Sequence, residues 1–315
     1  MKKNNVMRVF SLLLALTLIS VCAISGTFAK YVTKVTGEDT ARVAKWGVLL
    51  TVEGNNFGTE YAAEDEAYLA AKGEYSVESS NDDAVVAPGT SSDLIKAGMT
   101  ASVTGTPEVA ARYTIEGKIT DIVLKAGEGY TDYTELVKAN DGTYGYTGTF
   151  DLEKDYAPVK WNLVISGKGQ TLDLAEELYD ALPANLIAAA ESYGLTEDGC
   201  SFIDAIAIIE KVADNATYKQ IVETALGNIV SGGRNFQLEA NKDAGTFKLS
   251  YDFDPNKEMD FTFDLSWNWA FEQENVELYD KADTYLGNVA AGVVADNNAS
   301  TTIAATLTAT ATQID

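Results

Sequence analysis

Alternation of apolar and polar residues dominates this chain. Over 259–272, Met259, Phe261, Phe263, Leu265, Trp267, Trp269 and Phe271 are apolar, while Asp260, Thr262, Asp264, Ser266, Asn268 and Glu272 are polar. Successive side chains of a strand point to opposite faces, so the pattern predicts one long strand with a buried aromatic face and a wet one. Phe247, Leu249, Tyr251 and Phe253 repeat it, and Lys242-Asp243-Ala244-Gly245 turns back to 236–238 as a hairpin. The same period marks Trp46, Val48, Leu50 and Val52; Val109, Ala111, Tyr113 and Ile115; Val159, Trp161, Leu163 and Ile165; and Ile303, Ala305, Leu307 and Ala309. Alternation leaves each sheet one solvated face, which two antiparallel sheets resolve by packing face to face. The expected fold is mainly β, a two-sheet antiparallel sandwich of jelly-roll type with a helical insertion.

The insertion is read at 170–232, where the period turns helical. Leu174, Leu178 and Leu182 form one stripe, stopped by Pro183, and 184–192 suits a second helix. Phe202, Ile206 and Ile209 form another stripe. Tyr218, Ile221, Val222, Ala225, Leu226 and Ile229 form a last one, ended by Ser231-Gly232-Gly233. Residues 60–83 are acidic and rich in small residues, which predicts a long exposed loop with one helical turn around 64–72.

The first 29 residues carry the three parts of an export signal. Lys2, Lys3 and Arg8 precede an apolar run, and Thr27 and Ala29 sit at −3 and −1 of a cut between Ala29 and Lys30, across Phe28. Cleavage is expected to leave a mature domain of 30–315. A retained anchor fits less well, because the apolar run falls short of the ~20 residues a span needs. A lipoprotein cut at Cys22 is disfavoured by bulky Val21 before it. The net charge is −24 for the whole chain, and losing Lys2, Lys3 and Arg8 with the leader takes it to −27. Such a field repels nucleic acid and anionic lipid; no nucleic-acid partner and no stable membrane insertion are expected. Cys200 is then the sole mature thiol, read as a buried, inert one, and no internal disulfide is possible. Histidine is absent, which removes the commonest general base and imidazole metal ligands. The reading is of a chain that is not an enzyme, with no cofactor.

Candidate chemistry is sparse. Asp252-Phe253-Asp254-Pro255-Asn256 looks like the opening of a calcium loop, but Lys257 and Phe263 stand where glycine and a bidentate Glu belong. Asp82 and Asp83 invite a calcium ion or, more simply, water. Asn215-Ala216-Thr217 matches a glycosylation acceptor, and Asn or Thr there serves equally as a helix cap. Glu176/Glu177 and Asp280/Asp283 are paired carboxylates without a sequence-level reason to share a pocket. Trp267 and Trp269 offer a sugar-stacking platform or, with five apolar neighbours on their face, a core.

Gly26-Thr27-Phe28-Ala29-Lys30-Tyr31 and Asp39-Thr40-Ala41-Arg42-Val43-Ala44-Lys45-Trp46 resemble the start of the TasA/camelysin group, secreted Firmicutes proteins with SipW-type signal peptides. Val86-Ala87-Pro88-Gly89-Thr90-Ser91, the 105–110 block, the 265–272 block and Asp283-Thr284-Tyr285-Leu286-Gly287-Asn288 extend the likeness; 172–229 has no counterpart. The resemblance implies a jelly-roll subunit of an extracellular fibre or biofilm matrix, whose N-terminal segment completes the sheet of the next copy. Tyr31, Val32, Thr33, Lys34, Val35 and Thr36 would then be the donor strand, unless they pair within their own subunit. Expected partners are further copies of the chain or other matrix proteins, and the signal peptidase during export. An adhesin or surface binding module is the alternative, and a camelysin-type metallopeptidase, which this His-free chain does not support, comes last. Residues 309–315 form no hydrophobic tail, so attachment to a cell is expected to come through assembly or a partner.

Overall fold

The longest alternating run becomes the middle of the largest sheet. The computed structural model describes residues 43–62, 75–80, 82–92, 98–167, 169–197, 200–230, 233–271 and 276–314. The leader, the cleavage residues Thr27, Phe28, Ala29 and Lys30, the donor segment from Tyr31 to Thr36 and the helical turn at 64–72 lie outside the described residues. The first sheet runs in the order β1 (Val48–Glu53), β5 (Met99–Gly105), β14 (Met259–Trp269), β10 (Val159–Gly167), β11 (Gln170–Asp173), all antiparallel. A short β4 (Thr90–Ser91) continues β14's edge beyond β5, pairing with Asn268 and Trp269. Six side chains of β14, from Met259 to Trp269, point inward and are buried. Each such burial is worth about 1.5–3 kcal/mol. The strand ends earlier than the pattern predicts: Phe271 is 73% exposed and lies past the ladder, against Gly89. Trp46 and Val52, read as inward residues of β1, are exposed as well, because β1 is an edge strand.

The second sheet runs β12 (Gly233–Asn241), β13 (Thr246–Phe253), β6 (Ala111–Thr120), β16 (Ala304–Gln313), again antiparallel. Val109 precedes β6 instead of joining it. The β12–β13 turn needs glycine: Gly245 has φ +63°, and a Cβ there would meet the Ile119 carbonyl oxygen at 1.9 Å. Aromatic rings bridge the two inner faces. Tyr113 of β6 stacks on Phe263 at 5.7 Å, and Phe253 of β13 lies 6.1 Å from Phe261.

Helices α1 (Leu174–Asp180), α2 (Ala184–Ser192), α3 (Phe202–Val212) and α4 (Asn215–Ile229) follow β11 and lead to β12. They carry the chain from an edge of the first sheet to an edge of the second. Asp173, the last residue of β11, caps α1 by accepting from the Ala175 N–H at 2.8 Å. Phe202 of α3 meets Phe247 edge-on at 4.9 Å, so the helices extend the core between the sheets. Asp214, not Asn215 or Thr217, caps α4, accepting from the Thr217 N–H at 2.8 Å.

Residues 60–83 are not one exposed loop. β2 (Glu60–Ala62) pairs with β3 (Tyr75–Glu78), and Tyr61 is fully buried, with its ring edge-on to Trp267 at 6.0 Å. Two further elements carry no counterpart in the sequence reading. β8 (Gly127–Lys138) and β9 (Tyr144–Leu152) form a separate hairpin. Helix α5 (Val276–Ala290) packs on it, Tyr285 meeting Tyr130 at 5.0 Å and Phe150 at 6.1 Å. A last small pair joins β7 (Val123–Leu124) to β15 (Ala299–Ser300).

Candidate functional site

Most residues singled out from sequence serve the fold. Asp252 accepts from Arg112 Nε at 2.7 Å and Asp254 pairs with Arg234 at 2.7 Å, so guanidinium groups occupy the would-be calcium ligands. Asp82 and Asp83 are exposed, and among the described residues no three Asp, Glu or Cys side chains converge as metal ligands. Trp267 and Trp269 are 1% and 5% exposed, which leaves no open sugar platform. The Cys200 thiol donates to the Ser201 carbonyl at 3.4 Å, and burial pushes its pKa up to about 12, so it stays a neutral, unreactive thiol. Glu176 and Glu177 stand in the first turn of α1, away from any cleft described here.

Asp283 is different. A cleft of about 480 Å³ opens between the 84–88 loop, helix α5 and the 301–303 segment. Val85, Val86, Pro88, Ile122, Leu286 and Ile303 make its walls apolar, Phe57 and Trp269 add rings, and Asp283 is its one charged group. The helix sets Asp283 there: Ala282, Tyr285 and Leu286 are buried, and Asp283 follows on the neighbouring face. Thr90 Oγ1 shapes the facing loop, donating to the Ala87 carbonyl at 2.6 Å and accepting from its N–H at 3.1 Å. Gly89 N–H donates to the Trp269 carbonyl at 2.8 Å, tying loop to strand.

Tyr156 holds the carboxylate. Its backbone exchanges two 2.8 Å hydrogen bonds with Leu124, its ring stacks on Tyr279 at 4.8 Å, and its hydroxyl donates to Asp283 Oδ1 at 2.7 Å. The Trp269 indole N–H has no hydrogen-bond partner, although it lies near enough to favour the ionised carboxylate. Burial, reinforced by Asp280, outweighs these donors and raises the Asp283 pKa to about 6. Of the pair Asp280/Asp283, then, only Asp283 enters the cleft, and Asp280 acts on it through charge. Tyr156 and the 84–88 loop were not legible as partners, because strands and helix far apart in sequence bring them together. Among the described residues no base, nucleophile and orienting group meet at this cleft; the arrangement can hold a proton near neutrality or pair with a cation.

A second carboxyl, Asp121, is also raised to about 6, chiefly by burial; the Ile122 N–H and the Trp161 ring N–H partly offset it, and Asp204 adds repulsion. Both groups bind a proton more readily folded, near 6, than unfolded, near 3.8. Between those values the folded state holds more protons, so each contribution to stability falls as pH rises and levels off above 6. Asp283→Asn should therefore stabilise the protein at pH 8 by about 1–2 kcal/mol, allowing for solvent at its open side, and change little at pH 4. Urea unfolding at both pH values checks this, and an equal shift at the two would count against it.

Comparison of the chain with protein-family models, with curated proteins and with solved structures finds no match in any of the three.

Proposed function

We propose that the chain is a secreted structural subunit of an extracellular fibre or surface matrix, a two-sheet sandwich of jelly-roll type that assembles by β-strand addition. One observation carries the reading: among the described residues β16 is a ten-residue edge strand, paired only with β6, with no charge and no proline. Soluble proteins normally blunt such an edge with lysine, proline, a bulge or a cover. β1, the edge of the other sheet, runs close by, and its Leu49 and Val52 are 63% and 44% exposed. A strand added there would lie beside both sheets. The N-terminal segment suits that role, since Tyr31, Thr33 and Val35 alternate and its backbone would supply the ladder hydrogen bonds. A head-to-tail contact of this kind does not close on itself and makes filaments. The charge of −27 after leader loss keeps copies apart until salt screens it.

Electron microscopy of the mature chain in salt tests the proposal. Filaments are expected for 30–315 and monomers for 38–315. The Thr308→Lys/Thr310→Lys chain should also stay monomeric, with unchanged circular dichroism, since both threonines are exposed. Filaments that persist in both altered chains would overturn strand addition. A binding-module reading is favoured by one observation, the cleft at Asp283, and monomers under all conditions would turn the choice toward it.

A further inference from the structure

The Asp283 cleft has a composition that neither the sheets nor the helices require. Its walls are aliphatic and aromatic, it is concave on the scale of small-molecule sites, and it holds a single carboxylate. Among the described residues no Lys or Arg pairs with Asp283; its hydrogen-bond partner is a neutral tyrosine. A second feature is the Trp269 indole N–H, which belongs to a side chain 95% buried, falls short of a full hydrogen bond among the described residues and turns toward Asp283 from β14. A fold that needed only packing would place an apolar side chain at 283, since a half-buried carboxylate without a counter-charge costs free energy.

We propose that this cleft binds a small organic cation, an ammonium group carried on an apolar or aromatic body. The ammonium donates to the Asp283 carboxylate, whose other donor, Tyr156, is already in place and fixes its orientation. The body lies along Val85, Pro88, Leu286 and Ile303, where its apolar surface leaves water. The Phe57 and Trp269 rings line the same cleft and add apolar surface for the body to cover. A neutral ligand leaves the carboxylate uncompensated, and an anion is repelled both by Asp283 and by the net charge of −24. The groups facing Asp283 are the Tyr156 hydroxyl, the Trp269 N–H from β14 and Asp280 from its own helix, so no resident cation competes. This inference does not depend on strand addition and stands whether or not the chain forms filaments.

Titration of the full mature chain with 2-phenylethylammonium tests it, read by calorimetry and by the indole N–H resonance of Trp269. Saturable binding is expected at pH 7.5, with the Trp269 resonance shifting along the binding curve. Asp283→Asn should weaken binding at least tenfold while the fold persists. Lowering the pH to 5 should weaken it about tenfold in the parent chain, as Asp283 takes up a proton, and leave the Asn variant unchanged. A second variant, Gly287→Leu, narrows the cleft on an exposed helical position where a Cβ meets nothing within 4 Å, and should also weaken binding. Equal binding of 2-phenylethanol would overturn the proposal, as would binding unaffected by Asp283→Asn or a Trp269 resonance that never moves. Equal binding of methylammonium would reduce the site to general attraction by an acidic surface, and would overturn it too.

Discussion

Trp267→Ala should lower the stability of the protein by about 3–5 kcal/mol and its thermal midpoint by roughly 10 °C. The ring is 1% exposed and stacks on Phe57 at 5.7 Å. Its indole N–H donates to the Asn56 carbonyl at 2.6 Å. Its backbone N–H donates to Ser92 Oγ at 3.1 Å, so the strand, the 53–58 segment and the 90–92 segment all converge on it. Truncation removes the transfer free energy of a large aromatic group, leaves a cavity among rings and orphans a buried carbonyl. Trp267→Phe should recover a large part of the loss, because it refills much of the volume without the hydrogen bond. Urea denaturation measures both; a loss below about 1 kcal/mol for the alanine variant would mean that Trp267 is not a core residue.

Arg112→Met is the second large effect, about 2–4 kcal/mol of destabilisation. Asp252 is 3% exposed and directly opposite Arg112 across the β6–β13 ladder. Burial alone would raise its pKa, yet the hydrogen bonds from Arg112 and Asn235 and the charges of Arg112 and Arg234 hold it below the ordinary value. The Arg112 fork binds both carboxylate oxygens, at 2.7 and 3.0 Å. Without the fork, a buried charge keeps only Asn235 at 3.0 Å and the more distant Arg234, itself paired with Asp254. The double variant Arg112→Met/Asp252→Leu should be more stable than Arg112→Met alone, since it removes the stranded charge. A double variant as unstable as the single one would show that the loss comes from Arg112 packing, not from the buried carboxylate.

The strands were legible wherever one face is apolar and the other polar, because a period of two admits no other regular structure. β10, β13 and β14 obey that condition, and so do the insertion helices, whose leucine and isoleucine stripes repeat at the helical period. Phe271 misled the reading since an apolar residue in phase need not belong to the ladder, and here the pairing stops with Trp269. Tyr61 misled it in the other sense: an acidic, small-residue stretch concealed one aromatic anchor. Helix α5 carries the spacing Leu278, Ala282, Tyr285, Leu286, Val289, but its tyrosines and three acids, Glu277, Asp280 and Asp283, weaken the stripe. The β8–β9 hairpin buries only its base, with Leu136, Tyr144 and Tyr146 exposed toward its end, so alternation fails there. The Asp283 cleft was beyond reach for a different reason. Its walls come from the 84–88 loop, the end of β14, helix α5 and the 301–303 segment, its carboxylate is held by a mid-chain tyrosine, and no local period reports such a meeting.

The course of the helices from β11 to β12 has a bearing on polymer architecture. Of the four outer margins of the two large sheets, two are bracketed by the same helical stretch of chain, which among the described residues leaves β1 and β16, close to one another, as the other two. If the proposed strand addition holds, a subunit with a single receptive flank would join neighbours in a single polarity. Polymers built that way would elongate as unbranched threads whose two tips differ.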